Sequence, residues 1–159
     1  MTAQEHSPAS GPASKSVCEA VFQPMFEHTL LVHFSHCDPA GMVFFPQYFV
    51  MLNNCVELWF TQGLHIPYAQ LVAKRRVGLP TVHLVSRFVK PSYMGERITF
   101  GCAVKRLGAR SIVLDVHVYG AGDLADARAI FEQTLVTTSL DTHRSIAVPE
   151  DIVAAFKRP

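Results

Sequence analysis

The sequence predicts one α+β domain, a curved antiparallel β-sheet wrapped around a single long central α-helix. Three observations lead there. The apolar stretch Pro46 to Gln62 carries helical punctuation, with Pro in its first turn and Gly63 just beyond its end. Four later segments rich in Val, Ile, Thr and Phe are separated by short turn-like breaks, and short connections make neighbouring strands antiparallel. The 159 residues, 49% of them apolar, suffice for one real core.

Residues 1–25 are expected to form a flexible N-terminal tail, because Met1 to Lys15 is rich in Ser, Ala, Pro and Gly and can bury little apolar surface. The domain is expected over residues 26–157. His28 to His36 (HTLLVHFSH) reads as a first strand. The helix Pro46–Gln62, about 25 Å long at roughly 1.5 Å per residue, is apolar around most of its circumference, so something must wrap it. Its polar minority, Gln47, Asn53, Asn54, Glu57 and Thr61, falls on one side, suited to a ligand or a partner subunit. Tyr68 to Arg76 reads as a short second helix. Strands follow at Pro80–Val89, Arg97–Arg106, Arg110–Tyr119 and Ala127–Ser139. In the third, Ile112, Leu114, Val116 and Val118 alternate with Val113, Asp115, His117 and Tyr119. Pro149 to Phe156 reads as a closing helix with Glu150 and Asp151 in its first turn.

Composition excludes several functions. The net charge of +1 offers no basic or acidic excess for nucleic acid or membrane binding. Cys18, Cys37, Cys55 and Cys102 are spread out with no C-x-x-C, against a zinc ribbon or disulfide scaffold and in keeping with a reducing compartment. Met1 to Ser16 lacks the basic start and apolar block of a secretory signal, and no apolar run reaches membrane-spanning length. A soluble cytoplasmic protein is expected. G-x-S-x-G, Walker and G-x-G-x-x-G patterns are absent from the sequence.

The chemistry concentrates in Asp38-Pro39-Ala40-Gly41-Met42-Val43-Phe44-Phe45-Pro46. One carboxylate ends a strand, Pro and Gly bend the chain, and a long helix starts. This order sets an acid beside the positive end of a helix dipole and its unpaired N–H groups, an arrangement suited to attack on an acyl group. By residue type alone, Asp38 also reads as an Asx-turn or cap residue. His33, His36, Cys37 and Asp38 do not make a metal site, because His33 and His36 of one strand point to opposite faces. Cys37 as nucleophile is disfavoured for the same alternation.

The segment D-P-A-G-x-V-F-x-P-x-Y with the helix behind it resembles the 4-hydroxybenzoyl-CoA thioesterase family of hotdog-fold acyl-CoA thioesterases. The matching residues are Asp38, Pro39, Ala40, Gly41, Val43, Phe44, Pro46 and Tyr48, followed by Val77-Gly78-x-Pro80, Phe88-Val89 and Ser92-Tyr93. The resemblance implies a hotdog fold, homodimers pairing sheet edge to sheet edge or homotetramers built from them, and active sites at the dimer interface. It implies hydrolysis of an acyl-CoA to free acid and CoA with no metal or organic cofactor. Asp38 becomes nucleophile or general base, and the backbone N–H of Phe45 the oxyanion donor, since Pro46 has none to offer. Another hotdog branch carries its acid on the central helix, which makes Glu57 a second carboxylate to consider; a solvated or subunit-facing role is preferred for it.

The remaining expectations concern substrate binding. Gly41 permits the turn. Lys105, Arg106, Arg110 and Ser111 surround the turn Leu107 to Ala109, which in the family contacts CoA phosphates. Arg110 and Ser111 match, whereas Gly108 and Ala109 replace two basic residues, shifting part of the grip to Lys90, Arg128 or Arg144. Asn53 stands where the 4-hydroxybenzoyl enzyme has Asp, Leu79 where it has Thr, and Phe45 where a Tyr is expected. These changes remove polarity, so an aryl or hydrophobic acyl-CoA is expected, with a benzoyl ring lacking the hydroxyl well suited. The alternatives are a non-catalytic acyl-CoA-binding protein, a hydratase on the same fold, or a Tol-Pal-associated thioesterase for shorter chains, whose usual His is Phe45 here.

Overall fold

The computed structural model describes residues 22–157. Its elements are β1 Phe26–Leu31, α1 Phe45–Leu58, α2 Tyr68–Ala73, β2 Val77–Gly78, β3 Thr81–Phe88, β4 Arg97–Leu107, β5 Ser111–Gly120, β6 Asp123–Val136, β7 Thr138–Ser139 and α3 Glu150–Phe156. Of the expected tail, residues 1–21 lie outside the described residues. Residues 22–25 lie against the sheet: the Phe22 ring stacks on His117 at 3.7 Å, and Met25 N–H donates to the Cys102 carbonyl at 2.8 Å.

Five strands pair in the order β1-β4-β5-β6-β3, all neighbours antiparallel, and β2 pairs with β7 beside them. The alternation in β5 holds at its middle, whereas Val113 and Tyr119 of the opposite face are buried as well. Ile112, Leu114, Val116 and Val118 are fully buried, while Asp115 and His117 stay half-exposed. The buried stripe of α1, Tyr48, Met51, Leu52, Cys55 and Val56, has the three- and four-residue spacing of one helix face. It packs on Phe100 and Cys102 of β4, Val116 of β5 and Phe131 of β6 in a single core. The sheet thus covers one side of the helix, and Val50, Asn53, Asn54 and Glu57 face outward on the other.

Three expectations need correction. The short connection between β3 and β4 does not make them neighbours, since β3 pairs with β6 while β4 lies between β1 and β5. The first strand ends at Leu31, because its last partner is Arg97 and β4 begins there. Beyond that pair no strand remains to hold residues 34–36, which form a turn of 3-10 helix. His33 and His36 therefore share one turn, with rings 5.3 Å apart edge to face and the His33 N–H donating to His36 Nδ1 at 3.1 Å. The central helix also changes character at its end. Regular α-helix stops at Leu58, and Trp59–Gly63 form a π-helical turn that sends both Trp59 and Phe60 into the core.

β3 is an edge strand, bonded on one side to β6. Seven of its eight residues are exposed, including Val82, Val85 and Phe88. No helix among the described residues is long and apolar enough to cross a membrane.

Candidate active site

The Asp38 segment is a tight reversal. Cys37 and Val43 form an isolated antiparallel bridge, with the Asp38 N–H donating to Met42 O and the Gly41 N–H to Asp38 O, each at 2.9 Å. Gly41 sits at φ 78°, where a side chain would be strained although space is open around it. Asp38 Oδ1 accepts the Ala40 N–H at 2.9 Å, so the residue makes the Asx-turn its type allows. That bond engages one carboxylate oxygen; Oδ2 accepts no hydrogen bond among the described residues.

α1 starts immediately beyond. Phe44 caps it with an extended backbone, its own N–H held by His36 O at 2.9 Å, and the Gln47 N–H closes the first turn on Phe44 O at 2.8 Å. Of the first helical N–H groups, Pro46 has none and Gln47 is engaged. The Phe45 N–H has no hydrogen-bond partner among the described residues. A cavity of about 260 Å³ opens here, lined by Met42, Val43, Phe45, Tyr48, Phe88, Val89, Lys90 and Pro91. Its walls are aromatic, with Phe45 and Tyr48 6.5 and 5.5 Å from Phe88 between ring centroids.

The loop from Lys90 to Glu96 supports both pieces. Met42 bridges to Tyr93, Val43 N–H donates to Ser92 O at 2.9 Å, and Met94 N–H donates to Gly41 O at 3.2 Å. On the helix side, the Tyr48 hydroxyl donates to the buried Ser92 Oγ at 2.9 Å, and burial pushes that phenol above its ordinary range. Under the loop lies Arg128, 6% exposed, with its guanidinium against Asp126, Glu96 and the Pro91 carbonyl. Arg128 is therefore not a phosphate ligand, since burial and two carboxylates occupy it. Its hydrogen bond, together with that of Lys90, holds Asp126 down to about 2. Arg128 likewise lowers Glu96. Lys90 is exposed but paired with Asp126 at 2.7 Å.

The other expected residues are not gathered around Asp38. Asn53 and Leu79 line a separate cavity of about 330 Å³ with Val56, Glu57, Tyr68, Pro80, Thr81 and Leu135. The eight steps from Phe45 to Asn53 along one helix span about 12 Å, too far for one small acyl group within a single chain. Lys105 and Arg106 line a third groove with Val113 and Glu132, and Lys105 Nζ lies 2.5 Å from Glu132. Arg110 reaches the Ser145 hydroxyl at 3.4 Å, while Ser111 closes the β4–β5 turn by accepting the Gly108 N–H at 2.8 Å. A further cavity of about 660 Å³ lies at the far end of α1 between Pro24, Met25, Trp59, Gly63, Leu64, His65 and Ala155, and none of these lining residues is a carboxylate.

Desolvation, then the Asp38 carboxylate, raises the Cys37 thiol above its ordinary range, which keeps it protonated. Burial, then His33, lowers His36. No group of three or more His, Cys, Asp or Glu among the described residues is arranged to hold a metal.

One polar residue escaped the sequence reading. Gln133 is 1% exposed on the inner face of β6, where its Nε2 donates to Thr81 Oγ1 at 2.7 Å and lies 3.5 Å from Asn53 Oδ1, while its Oε1 has no partner. The expectation that Asn53 and Leu79 leave an apolar pocket therefore misses an amide and a hydroxyl. The signal was present, because Ala129, Phe131, Gln133 and Leu135 share one strand face and Gln is the polar exception.

Comparison with known proteins bears on both fold and chemistry. Residues 32–156 match the thioesterase-like superfamily. The 4-hydroxybenzoyl-CoA thioesterase of Pseudomonas sp. strain CBS-3 is 31% identical over 127 residues, covering 77% of this chain and 90% of its own. The 1,4-dihydroxy-2-naphthoyl-CoA hydrolase of Synechocystis is 24% identical over 135 residues, covering 84% of this chain and 90% of its own. Among solved structures, a 4-hydroxybenzoyl-CoA thioesterase mutant complexed with 4-hydroxybenzoyl-CoA superposes with a TM-score of 0.74 at 23% identity, over 83% of this chain and 98% of that one. The architecture is thus the hotdog fold.

Proposed function

From the premise that this chain belongs to the thioesterase-like superfamily of thioester hydrolases, we propose that it hydrolyses aryl acyl-CoA thioesters at a site begun by Asp38 and the Phe45 N–H. The observation that carries this reading is a carboxylate with one unengaged oxygen on the turn that leads into α1, together with an unpartnered N–H on Phe45, a residue that lines an aromatic-walled cavity with Met42 and Val43 of that turn. The cavity suits a flat ring, and the relatives named for 4-hydroxybenzoyl and dihydroxynaphthoyl thioesters are aryl-CoA hydrolases.

The chemistry follows from the donors and acceptors present. In one route an Asp38 oxygen adds to the thioester carbonyl carbon, the Phe45 N–H donates a hydrogen bond to the developing oxyanion, and CoA leaves as thiolate. Water then cleaves the mixed anhydride and restores the carboxylate. In the other, Asp38 takes a proton from water, which attacks directly. One preorganised backbone donor is worth about 3 kcal/mol in the transition state of either route.

The separation between Phe45 and Asn53 favours a site completed by a second copy. Pairing of two chains along β3 brings the Asp38 end of one towards the Asn53 cavity of the other. The exposed apolar edge of β3 supports this, since an unpaired edge of that kind is a liability that proteins cover. Asn53, Gln133 and Thr81 then meet the far side of the ring and favour one bearing a hydroxyl. Arg106, Arg110 and Ser111 are the candidates for the CoA phosphates.

Thiol release measured across benzoyl-, 4-hydroxybenzoyl-, phenylacetyl- and hexanoyl-CoA tests the reading. Turnover is expected to be highest on the hydroxybenzoyl ester, with benzoyl next. A flat, near-zero profile refutes hydrolysis and leaves acyl-CoA binding as the function.

A further inference from the structure

We propose that Arg128 is a positioning residue for the thioester chemistry, acting through Ser92 to set the separation between the Asp38 turn and the first turn of α1. The inference rests on the roles given above to Asp38 and the Phe45 N–H.

The sheet is locally altered to present this side chain. Val118 pairs with Ala129 and Tyr119 with Ala127, so Arg128 is the extra residue of a β-bulge. Bulges re-aim side chains that a regular strand would direct elsewhere. Here the guanidinium reaches both ends of the loop beneath the site. Nε and Nη2 donate to Asp126 Oδ2 at 3.1 and 2.8 Å, and Nη1 reaches Glu96 Oε2 at 2.6, Pro91 O at 2.9 and Ser92 Oγ at 3.4 Å. Glu96 closes the loop on itself by accepting the Tyr93 N–H at 3.0 Å.

Two bonds leave Ser92 of this loop for the two halves of the proposed chemistry. Ser92 O accepts the Val43 N–H, next to the Asp38 turn. Ser92 Oγ accepts the Tyr48 hydroxyl, three residues after Phe45. Ser92 and Tyr48 are 1% and 4% exposed, so water does not compete for either bond. A planar guanidinium spans two carboxylates and a carbonyl at once, which a lysine ammonium cannot. Displacing an attacking group relative to its oxyanion donor by a fraction of an ångström is enough to slow catalysis without weakening substrate binding.

Geometry and chemistry are read separately in the test. Arg128→Lys, Ser92→Ala and Tyr48→Phe are made in the full chain. Amide hydrogen exchange is followed by NMR, and thiol release is measured on the acyl-CoA that the wild type turns over fastest. Exchange of the Val43 and Met94 amides is expected to rise about tenfold while β5 amides stay unchanged. Turnover is expected to fall about tenfold with KM within about threefold, the pattern of a lost transition-state interaction. Unchanged exchange in the folded variants overturns the inference, as does faster exchange with unchanged kcat. A wild type that releases no thiol refutes the proposed function instead, and the exchange arm still decides whether Arg128 braces the two segments. If Arg128→Lys does not fold, Tyr48→Phe, which removes a single hydroxyl, carries the decision.

Discussion

Val43 donates its N–H to the Ser92 carbonyl at 2.9 Å, joining the segment that carries Asp38 to the loop that also holds the first turn of α1. Asp38 thus stands in a small frame closed on three sides: by its own turn, by the helix start, and by the loop over Arg128. The catalytic reading of Asp38 requires such rigidity, since a carboxylate on a free loop tip would lose the orientation that makes an adjacent oxyanion donor useful.

Replacing Asp38 by Asn isolates the charge. Asn retains the Oδ1 acceptor for the Ala40 N–H, so the turn and the melting temperature are expected to persist. Thiol release is expected to fall by about 100-fold or more. Retention of more than about a tenth of wild-type turnover, with substrate saturation unchanged, removes Asp38 from the mechanism.

The polar floor formed by Gln133, Thr81 and Asn53 predicts selectivity. Gln133→Leu is expected to lower kcat/KM for 4-hydroxybenzoyl-CoA about tenfold relative to benzoyl-CoA, the usual size of one lost hydrogen bond to a substrate hydroxyl. Equal losses on both esters would falsify the assignment and make Gln133 a packing residue.

Acid sensitivity should trace to the carboxylates around Arg128. Arg128 and Lys90 lower Asp126 from 3.8 to about 2, and Arg128 lowers Glu96 from its ordinary 4.5. Folded-state values below the unfolded ones mean that the unfolded chain binds more protons in this range. Their stabilisation is complete above the unfolded values and is lost as pH falls through the folded ones. Melting temperature is therefore expected to decline between about pH 4.5 and pH 2, and Arg128→Met is expected to flatten that decline. An unaltered slope in a folded Arg128→Met chain points to other carboxylates.

A composite site predicts complementation. Asp38→Asn abolishes one half-site, and Asn53→Lys blocks the other. Each variant alone is expected to be inactive. Refolding an equal mixture should restore roughly a quarter of wild-type turnover, since half the dimers are mixed and each mixed dimer holds one intact site. Absence of recovery, with mixed dimers verified by native mass spectrometry, places both residues in one chain's site or separates them altogether. Val85→Lys on the exposed β3 edge is expected to lower both dimer content and activity.

Most elements were legible because each has a local cause. Pro46 and Gly63 punctuate the helix, and alternation in β5 marks its buried face. The first strand was read too long, because HTLLVHFSH looks uniformly strand-like while its extent depends on where a distant partner, Arg97, begins. The division of the expected site was not legible either. The resemblance sets Phe45, Asn53 and Leu79 around one acyl group, but a rigid helix holds the first two apart. Arg128 read as a surface cation for the same reason. Its burial depends on a bulge and on Glu96 and Asp126, neither of which a residue count reveals.

The sequence by itself determined the helix, the antiparallel β4-β5-β6 hairpins and the acid-turn-helix motif, because periodicity, turn chemistry and short connections act between neighbours along the chain; the place of β3 beside β6 was decided by the tertiary structure. Only the tertiary structure decided that the Phe45 N–H is free, that Gln133 stands beside Asn53, and that Arg128 is bound under the Ser92 loop. The last two depend on contacts between residues far apart in the chain, and burial of Gln133 and Arg128 removes the water that would otherwise satisfy them.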